Sequence, residues 1–403
     1  MPKSKLQSHP IGRRQFIALG AASVGALALR PAAARELGDP RRSYGERSPF
    51  ETSARTFGAS VTPGTGSSRA PLQDLYGTIT PSALHFERHH SGVPKINSTT
   101  HELLLDGLVE RPLVFTLKNL RRFPSVSRVH FIECAGNSGR EHEGRPGETV
   151  QRSHGLFSNS EWTGVPLKNV LKEVGIKPKA RWIVAEGADA SRMSRSIPLD
   201  KALDDVLLAY GQNGEALRPE QGYPVRLFLP GVEGNASIKW LRRIELADQP
   251  FMTREETSKY TDPLPDGTAR MFSLDMDAKS LITEPSFPDK LSGPGWWEIR
   301  GIAWTGRGKI TRVEISTDGG KSWQNARLDE PVLPKCHTRF RFPFEWKGNE
   351  TIIASRATDE SGYVQPTYDV LLKARGPNTA YHFNNIRAWK IHADGTVKFE
   401  AGL

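Results

Sequence analysis

The chain has 403 residues, enough for two or three domains at about 150 residues each, and its 37% hydrophobic and 25% charged content is that of an ordinary soluble protein. Its 37 Gly and 29 Pro are too few for a collagen-like or low-complexity chain, and no run of about 18 apolar residues is present to make a standard transmembrane helix. The formal net charge of +10 invites a nucleic-acid reading until it is located: residues 1–35 hold Lys3, Lys5, Arg13, Arg14, Arg30 and Arg35 and no acid, and without them 49 basic residues face 45 acidic ones.

Residues 1–35 read as an address. A basic start precedes Gly12-Arg13-Arg14-Gln15-Phe16-Ile17, a short apolar run over 16–29 and Ala32-Ala33-Ala34. This is the pattern of a twin-arginine export signal with a small-residue cleavage site, and it implies a periplasmic location. Residues 36–75, rich in Arg, Ser, Gly, Pro and Thr, read as a linker or surface-draped arm. From Tyr76 the texture is that of a folded domain. Residues 101–108 and 113–117 read as short strands and 126–133 as a further strand. Residues 165–174 have helical spacing, and 199–209 contain another short helix. An apolar run covers 225–229, and 238–246 reads as a strand. Strands and helices alternate without a clean repeat, so 76–265 is predicted to be an α+β domain.

Pro263, Pro265 and Gly267 mark a border. Beyond it, residues 266–403 carry short strands at 297–304, 310–316, 338–344, 350–358 and 370–374, with turn signals such as Asp318-Gly319-Gly320 between them. That spacing predicts an all-β sandwich of immunoglobulin type.

Two cysteines, Cys134 and Cys336, are too few for a disulfide scaffold; one disulfide or two unrelated thiols both fit. Cys134 follows the 126–133 strand and opens Cys134-Ala135-Gly136-Asn137-Ser138-Gly139, whose small residues let a bulky ligand approach the backbone. A cysteine there is a thiolate ligand to a soft metal, a nucleophile activated by His130 or His142, or a buried inert thiol. Phe86, Glu87, Arg88, His89 and His90 form a short segment in which Arg and His suit an anion. Arg226, after Gly222-Tyr223-Pro224-Val225, and Lys239, in Ser237-Ile238-Lys239-Trp240, suit a phosphate. Taken singly, each is equally a solvated loop or a surface cation. Cys336, in the β region, reads as an incidental thiol.

Taken together and in chain order, seven pieces carry a resemblance. They are Arg88–His90 before Val93-Pro94, Cys134-Ala135-Gly136-Asn137, Glu186-Gly187-Ala188-Asp189, Ser196-Ile197-Pro198-Leu199, Gly222–Arg226, Pro230-Gly231-Val232 and Lys239-Trp240. They resemble the molybdenum domain of the sulfite oxidase family, and segments 282–285, 301–304 and 316–323 resemble that family's dimerisation domain. The likeness runs from about residue 76 to 395.

The resemblance implies molybdenum with one molybdopterin, ligated by Cys134. It implies a cofactor site of Phe86, Arg88, His89, His90, Asp189, Gln221, Arg226, Ser237, Ile238 and Lys239. Arg88 matches an arginine of the oxyanion pocket, Tyr260 a tyrosine that orients substrate or relays a proton, and Arg387 would supply a second pocket cation. A homodimer is also implied. Ser138 and Gly139 stand where eukaryotic members carry a basic pair, and Gln221 where the family has a histidine. No Cys-x-x-Cys-His haem site occurs in the chain, so the electron acceptor is expected to be a separate protein.

Segments 86–90, 134–139, 253–261 and 381–389 most resemble the molybdenum subunit of Sox-type sulfane dehydrogenases. That implies oxidation of carrier-bound sulfane sulfur or of sulfite, a c-type cytochrome subunit as acceptor and a sulfur-carrier protein as a further partner. The enzymatic alternatives are a free-sulfite dehydrogenase and a molybdenum-dependent sulfoxide reductase; the non-enzymatic one is a periplasmic β-sandwich binding module. With the export segment removed, the charge is near +4 and the nucleic-acid reading loses its basis.

Overall fold

The computed structural model describes residues 41–60, 62–139, 149–376, 379, 381–400 and 403. The expected export signal and His142 lie outside the described residues. Residues 41–52 are exposed and form no helix or strand.

The arm reading does not hold from Ser53 onward. Strand β1 (Thr56–Phe57) pairs with β2 (Gly66–Arg69), and β2 pairs with β3 (Glu87–His89). Ser68, Ala70 and Leu72 are buried. A polar stretch folds here because its hydrogen bonds are answered. Ser68 Oγ accepts from the Glu87 amide at 3.1 Å, and Gln151 Nε2 donates to the Arg69 carbonyl at 2.9 Å.

The α+β region continues with β4 (Glu102–Gly107), β5 (Leu113–Thr116), α1 (Leu117–Leu120), β6 (Val126–Glu133), α2 (Val150–His154), β7 (Phe157–Pro166) and α3 (Leu167–Val174). Next come β8 (Trp182–Gly187), β9 (Ser194–Pro198), α4 (Leu199–Asp204), β10 (Leu207–Gln212), β11 (Glu215–Ala216), β12 (Arg226–Phe228), β13 (Leu241–Ala247) and α5 (Arg254–Thr257). One sheet runs β5-β4-β13-β8-β9, with β13 and β4 parallel. A second runs β11-β10-β7-β6, with β12 also on β10.

Helix α3 buries Leu167, Val170, Leu171 and Val174, one stripe at helical spacing. It starts at Leu167 rather than Val165 because Val165 pairs with Leu208 across β7 and β10. The strand expected over 238–246 begins only at Leu241. Ile238, Lys239 and Trp240 form a loop instead, and Trp240 takes the left-handed conformation at φ +51. That loop lines the cavity described below.

After the hairpin β14 (Asp262–Pro263) and β15 (Ala269–Arg270) come β16 (Lys279–Glu284), β17 (Gly295–Trp304), β18 (Ile310–Ser316), β19 (Gln324–Asn325) and β20 (Arg327–Leu328). These are followed by β21 (Thr338–Trp346), β22 (Thr351–Asp359), α6 (Tyr368–Arg375), β23 (Arg387–Ile391) and β24 (Val397–Glu400). They form the sheets β16-β17-β21-β20 and β19-β18-β22-β23-β24 of an immunoglobulin-like sandwich. The strand expected over 370–374 is helix α6. Asp369 in its first turn and Lys373 and Arg375 in its last complement the helix dipole, and Gly376 follows at φ +85. These end signals outweigh the apolar run Val370-Leu371-Leu372, of which only Leu371 is buried.

The sandwich and the α+β region share a core. Phe131, Phe157, Trp162 and Phe228 cluster with Leu281, Ile302, Trp304 and Ile353. The rings of Phe157 and Trp304 are 4.2 Å apart. A second cluster, with Leu105, Leu171, Ile183 and Ile244, packs the β13 sheet against α3.

Candidate active site

Strand β6 delivers Cys134. Its pairing with β7 runs to Glu133 opposite Phe157, and the Cys134 amide then donates to the Leu156 carbonyl at 3.0 Å. The chain turns at once: the Asn137 amide donates to the Cys134 carbonyl at 2.9 Å. Asn137 Nδ2 donates to Glu133 Oε1 at 2.9 Å, and its Oδ1 accepts from the Leu156 amide at 3.2 Å. The cysteine loop is therefore pinned from below, and the thiol faces an open cleft of about 670 Å³.

Burial pushes the Cys134 thiol above its usual value, opposed by the Gly136 amide and by Arg88. A raised thiol is a poor nucleophile at neutral pH. Of the two histidines considered as activators, His130 does not serve. His130 is buried beside the Phe228 ring, with Nδ1 at 3.2 Å from the Lys335 carbonyl, and it does not line the cleft. His142 lies outside the described residues. A raised thiol still suits a soft metal, which displaces the proton on binding. Cys336 is buried, accepts from Asn159 Nδ2 at 3.2 Å and is pushed up to about 11 by burial, as befits an inert thiol.

Strand β3 brings Arg88 to the cleft. Gly66 pairs with His89 and Ser67 with Arg88. A Cβ at Gly66 would meet His89 Cε1 at 2.5 Å, so any side chain there must displace the His89 ring. Arg88 Nη1 donates to the His89 carbonyl at 2.6 Å. His90 follows, with Nε2 at 3.3 Å from the Tyr260 hydroxyl. Burial, then Arg88 and Arg254, hold His90 down to about 4, so it is neutral at pH 7. Burial pushes the Tyr260 hydroxyl well above its usual value, so it keeps its proton. Asp189 ties two loops together: it accepts from Ser191 Oγ, from Ser91 Oγ at 3.0 Å and from the Met193 amide at 3.3 Å.

Two cations stand on the same cavity. Lys239 Nζ donates to the carbonyls of Arg88 at 3.0 Å and Glu220 at 2.9 Å. Gly222, at φ +108, lets the Lys239 stem pass close to the backbone: a Cβ there would lie 3.0 Å from Lys239 Cβ. Arg226 donates through Nη1 to the Gln221 carbonyl at 3.1 Å and through Nη2 to the Ser237 carbonyl at 2.9 Å, while its buried Nε has no partner. Burial lowers Lys239 to about 7, with Arg226 adding to it, and lowers Arg226 to about 9. Neither cation forms an ion pair among the described residues. Unpaired, the buried Arg226 and the half-buried Lys239 both favour a bound anion.

Of the residues expected at the site, Phe86, Arg88, His89, His90, Cys134, Asp189, Gln221, Arg226, Ser237, Ile238, Lys239 and Tyr260 all line this one cleft. Arg387 does not. It lies in β23 opposite Ser355, is 4% exposed and sits 6.0 Å from the Phe399 ring. The strand register turns it into the sandwich, so it supplies no pocket cation. The carboxy-terminal region reaches the site through Tyr381 instead, whose ring is 5.1 Å from that of Tyr260. Ile132, Met193, Gly234, Asn235 and Trp240 line the cleft and were not anticipated as site residues. Trp240 was signalled only by its place beside Lys239; Met193 carries no sequence signal.

Residues 90–257 match the oxidoreductase molybdopterin binding domain, and residues 270–388 match the Mo-co oxidoreductase dimerisation domain. The chain is 33% identical over 340 residues to nitrate reductase [NADH] 2 of Phaseolus vulgaris, covering 74% of this chain and 38% of that protein. It is 32% identical over 345 residues to nitrate reductase [NADH] of Solanum lycopersicum, covering 74% and 37%. The chain thus spans well under half the length of these curated relatives. The solved sulfane dehydrogenase SoxCD from Paracoccus pantotrophus is 47% identical with a TM-score of 0.88, covering 92% of this chain and 97% of that one. The residues present fit molybdenum with molybdopterin: a soft thiol on one wall, and the cations Arg226 and Lys239, the former with an unpartnered guanidinium Nε, for a phosphate. The chain belongs to the sulfite oxidase family of molybdenum enzymes, an oxidoreductase with a molybdopterin-binding α+β domain followed by a β-sandwich dimerisation domain.

Proposed function

We propose that this enzyme oxidises sulfur compounds, carrier-bound sulfane sulfur or sulfite, by two electrons and passes the electrons singly to a c-type cytochrome subunit. It works in the periplasm after twin-arginine export, as a homodimer held by the matched dimerisation domain. A sulfur-carrier protein presents the sulfane. The observation that carries the reading is the placement of Cys134, Arg88, His90 and Tyr260 around one cleft, in a chain 47% identical over nearly the whole length of a sulfane dehydrogenase.

Molybdenum with molybdopterin, when bound, supplies the redox chemistry. The chain does the rest. Cys134 provides the thiolate. Arg226 and Lys239 would hold the phosphate, and Phe86, Arg88, His89, His90, Asp189, Gln221, Ser237 and Ile238 would line the pterin site. Arg88 attracts and orients an oxyanion. The Tyr260 hydroxyl, protonated across the neutral range and beside a neutral His90, donates a hydrogen bond to a substrate oxygen. Ile132, Met193 and Trp240 keep the cleft apolar, which strengthens each of these contacts.

Elemental analysis together with an acceptor assay tests the reading. About one molybdenum per chain is expected, with cytochrome c reduced on addition of a protein-bound persulfide or of sulfite. A molybdenum-loaded chain that reduces no cytochrome with either donor, but consumes a sulfoxide with a supplied reductant, refutes it. Faster turnover with free sulfite than with the bound persulfide assigns the free-sulfite dehydrogenase instead.

A further inference from the structure

Arg195 is the anomaly next to this site. It lies in β9 with its side chain fully buried, yet Nε, Nη1 and Nη2 have no hydrogen-bond partner among the described residues. A buried guanidinium left this way is costly unless its charge serves something. Its acid neighbour, Glu256 of α5, stands 3.7 Å from Nε. The Glu256 carboxylate is engaged elsewhere. It accepts from the Ser196 amide, from Ser196 Oγ at 3.0 Å and from the Thr253 amide at 3.4 Å, closing the capping box of α5.

The guanidinium faces Tyr260 instead, with its carbon 5.3 Å from the ring centroid. Tyr260 is a wall of the cleft. Met193, two residues before Arg195 and just ahead of β9, is another wall.

We propose that Arg195 is a positioning residue for an anionic substrate: one aromatic ring behind the cleft, it acts through Tyr260 to favour a sulfur oxyanion and to keep the Tyr260 hydroxyl beside His90. It takes the place that sequence reasoning gave to Arg387. A guanidinium that spends no hydrogen bond keeps its field available, and the buried surroundings screen it little. The inference rests on the oxyanion part of the proposed function and names one determinant of that specificity.

Full-length, molybdenum-loaded chains carrying Arg195→Met, Arg195→Lys or Glu256→Gln test it against wild type. Inorganic sulfate affinity is measured by titration calorimetry, and sulfite turnover separately. Arg195→Met is expected to raise the sulfate Kd and the sulfite KM about tenfold at unchanged molybdenum content, with kcat changed less. Arg195→Lys restores both to within about threefold, since it returns the charge. Glu256→Gln, which removes the opposing charge and can still cap α5, tightens sulfate binding. No detectable sulfate binding by wild type, or an unchanged sulfate Kd in a molybdenum-replete Arg195→Met chain, overturns the inference. Where Arg195→Met does not fold, Glu256→Gln decides: tighter sulfate binding supports the inference, and unchanged binding overturns it. A wild type that binds sulfate but turns over neither sulfite nor a protein-bound persulfide refutes the sulfur-oxidation reading alone and leaves the calorimetric comparison valid.

Discussion

Lys279, the first residue of β16, forms an ion pair at 3.0 Å with Glu133, the residue immediately before Cys134, and both side chains are at most 4% exposed. The β-sandwich thus reaches under the cysteine loop. The same ammonium donates to Ser138 Oγ at 2.9 Å, Trp304 Nε1 donates to Glu133 Oε2 at 2.7 Å, and Ser138 Oγ contacts His154 Nδ1 at 2.8 Å. Three segments distant in sequence, around His154, Lys279 and Trp304, fix one loop.

Breaking that pair has a predicted cost. Lys279→Met leaves the Glu133 carboxylate buried with only neutral donors, and loss of one partner from a buried pair typically costs about 3–5 kcal/mol. Urea denaturation should show a loss of that order, with reduced molybdenum content. Adding Glu133→Gln removes the stranded charge and should recover most of the stability. A Lys279→Met chain with an unchanged midpoint contradicts the role given to the pair.

Gly66 holds β2 against β3. Gly66→Val places two methyl groups where the His89 ring lies, and overpacking of this kind costs about 1–3 kcal/mol. The Arg88–His90 segment is displaced with it, so molybdenum content and turnover should fall together. Full occupancy and activity in this variant would show that β2 does not position the loop.

Acid should destabilise the fold through buried histidines. His85 and His337 are both held down to about 3, chiefly by burial, so each is neutral in the folded chain while the unfolded chain takes up a proton near pH 6.5. Stability is fully present above pH 6.5 and is lost as pH falls toward 3, because there the unfolded state binds more protons. At pH 5 each contributes a loss of about 2 kcal/mol relative to pH 7. Replacing His337, which stacks on Phe157 at 5.9 Å, with Phe should flatten the pH dependence of the denaturation midpoint. An unaltered slope would mean that His337 titrates normally.

Tyr260→Phe keeps the ring against Arg195 and Tyr381 but removes the hydroxyl at 3.3 Å from His90 Nε2. Turnover should fall about 100-fold at full molybdenum content, the usual scale for losing a positioned proton donor. A wild-type kcat would remove Tyr260 from the reaction.

Much of this site is legible in the sequence, and the reason is local. Val126–Glu133 is a strand that ends where small residues begin, so Cys134 stands out at its tip. Arg88, Arg226 and Lys239 each sit in short motifs with their turn residues beside them. What escaped is what distance in sequence hides. Arg195 and Lys279 are single cations in a chain with 25% charged residues, and nothing beside them tells a buried charge from a surface one. Residues 53–75 looked like an arm because their burial comes from pairing with β3 rather than from apolar content. Arg387 was misplaced because a family likeness does not set which face of β23 a side chain takes.

The central claim is that Cys134 is the molybdenum ligand of a sulfur-oxidising site. Reduction of cytochrome c by the Cys134→Ser chain, with sulfite and with a protein-bound persulfide as donors, tests it most directly. The account predicts no turnover from a chain that keeps the wild-type fold by circular dichroism; turnover at the wild-type rate would contradict it.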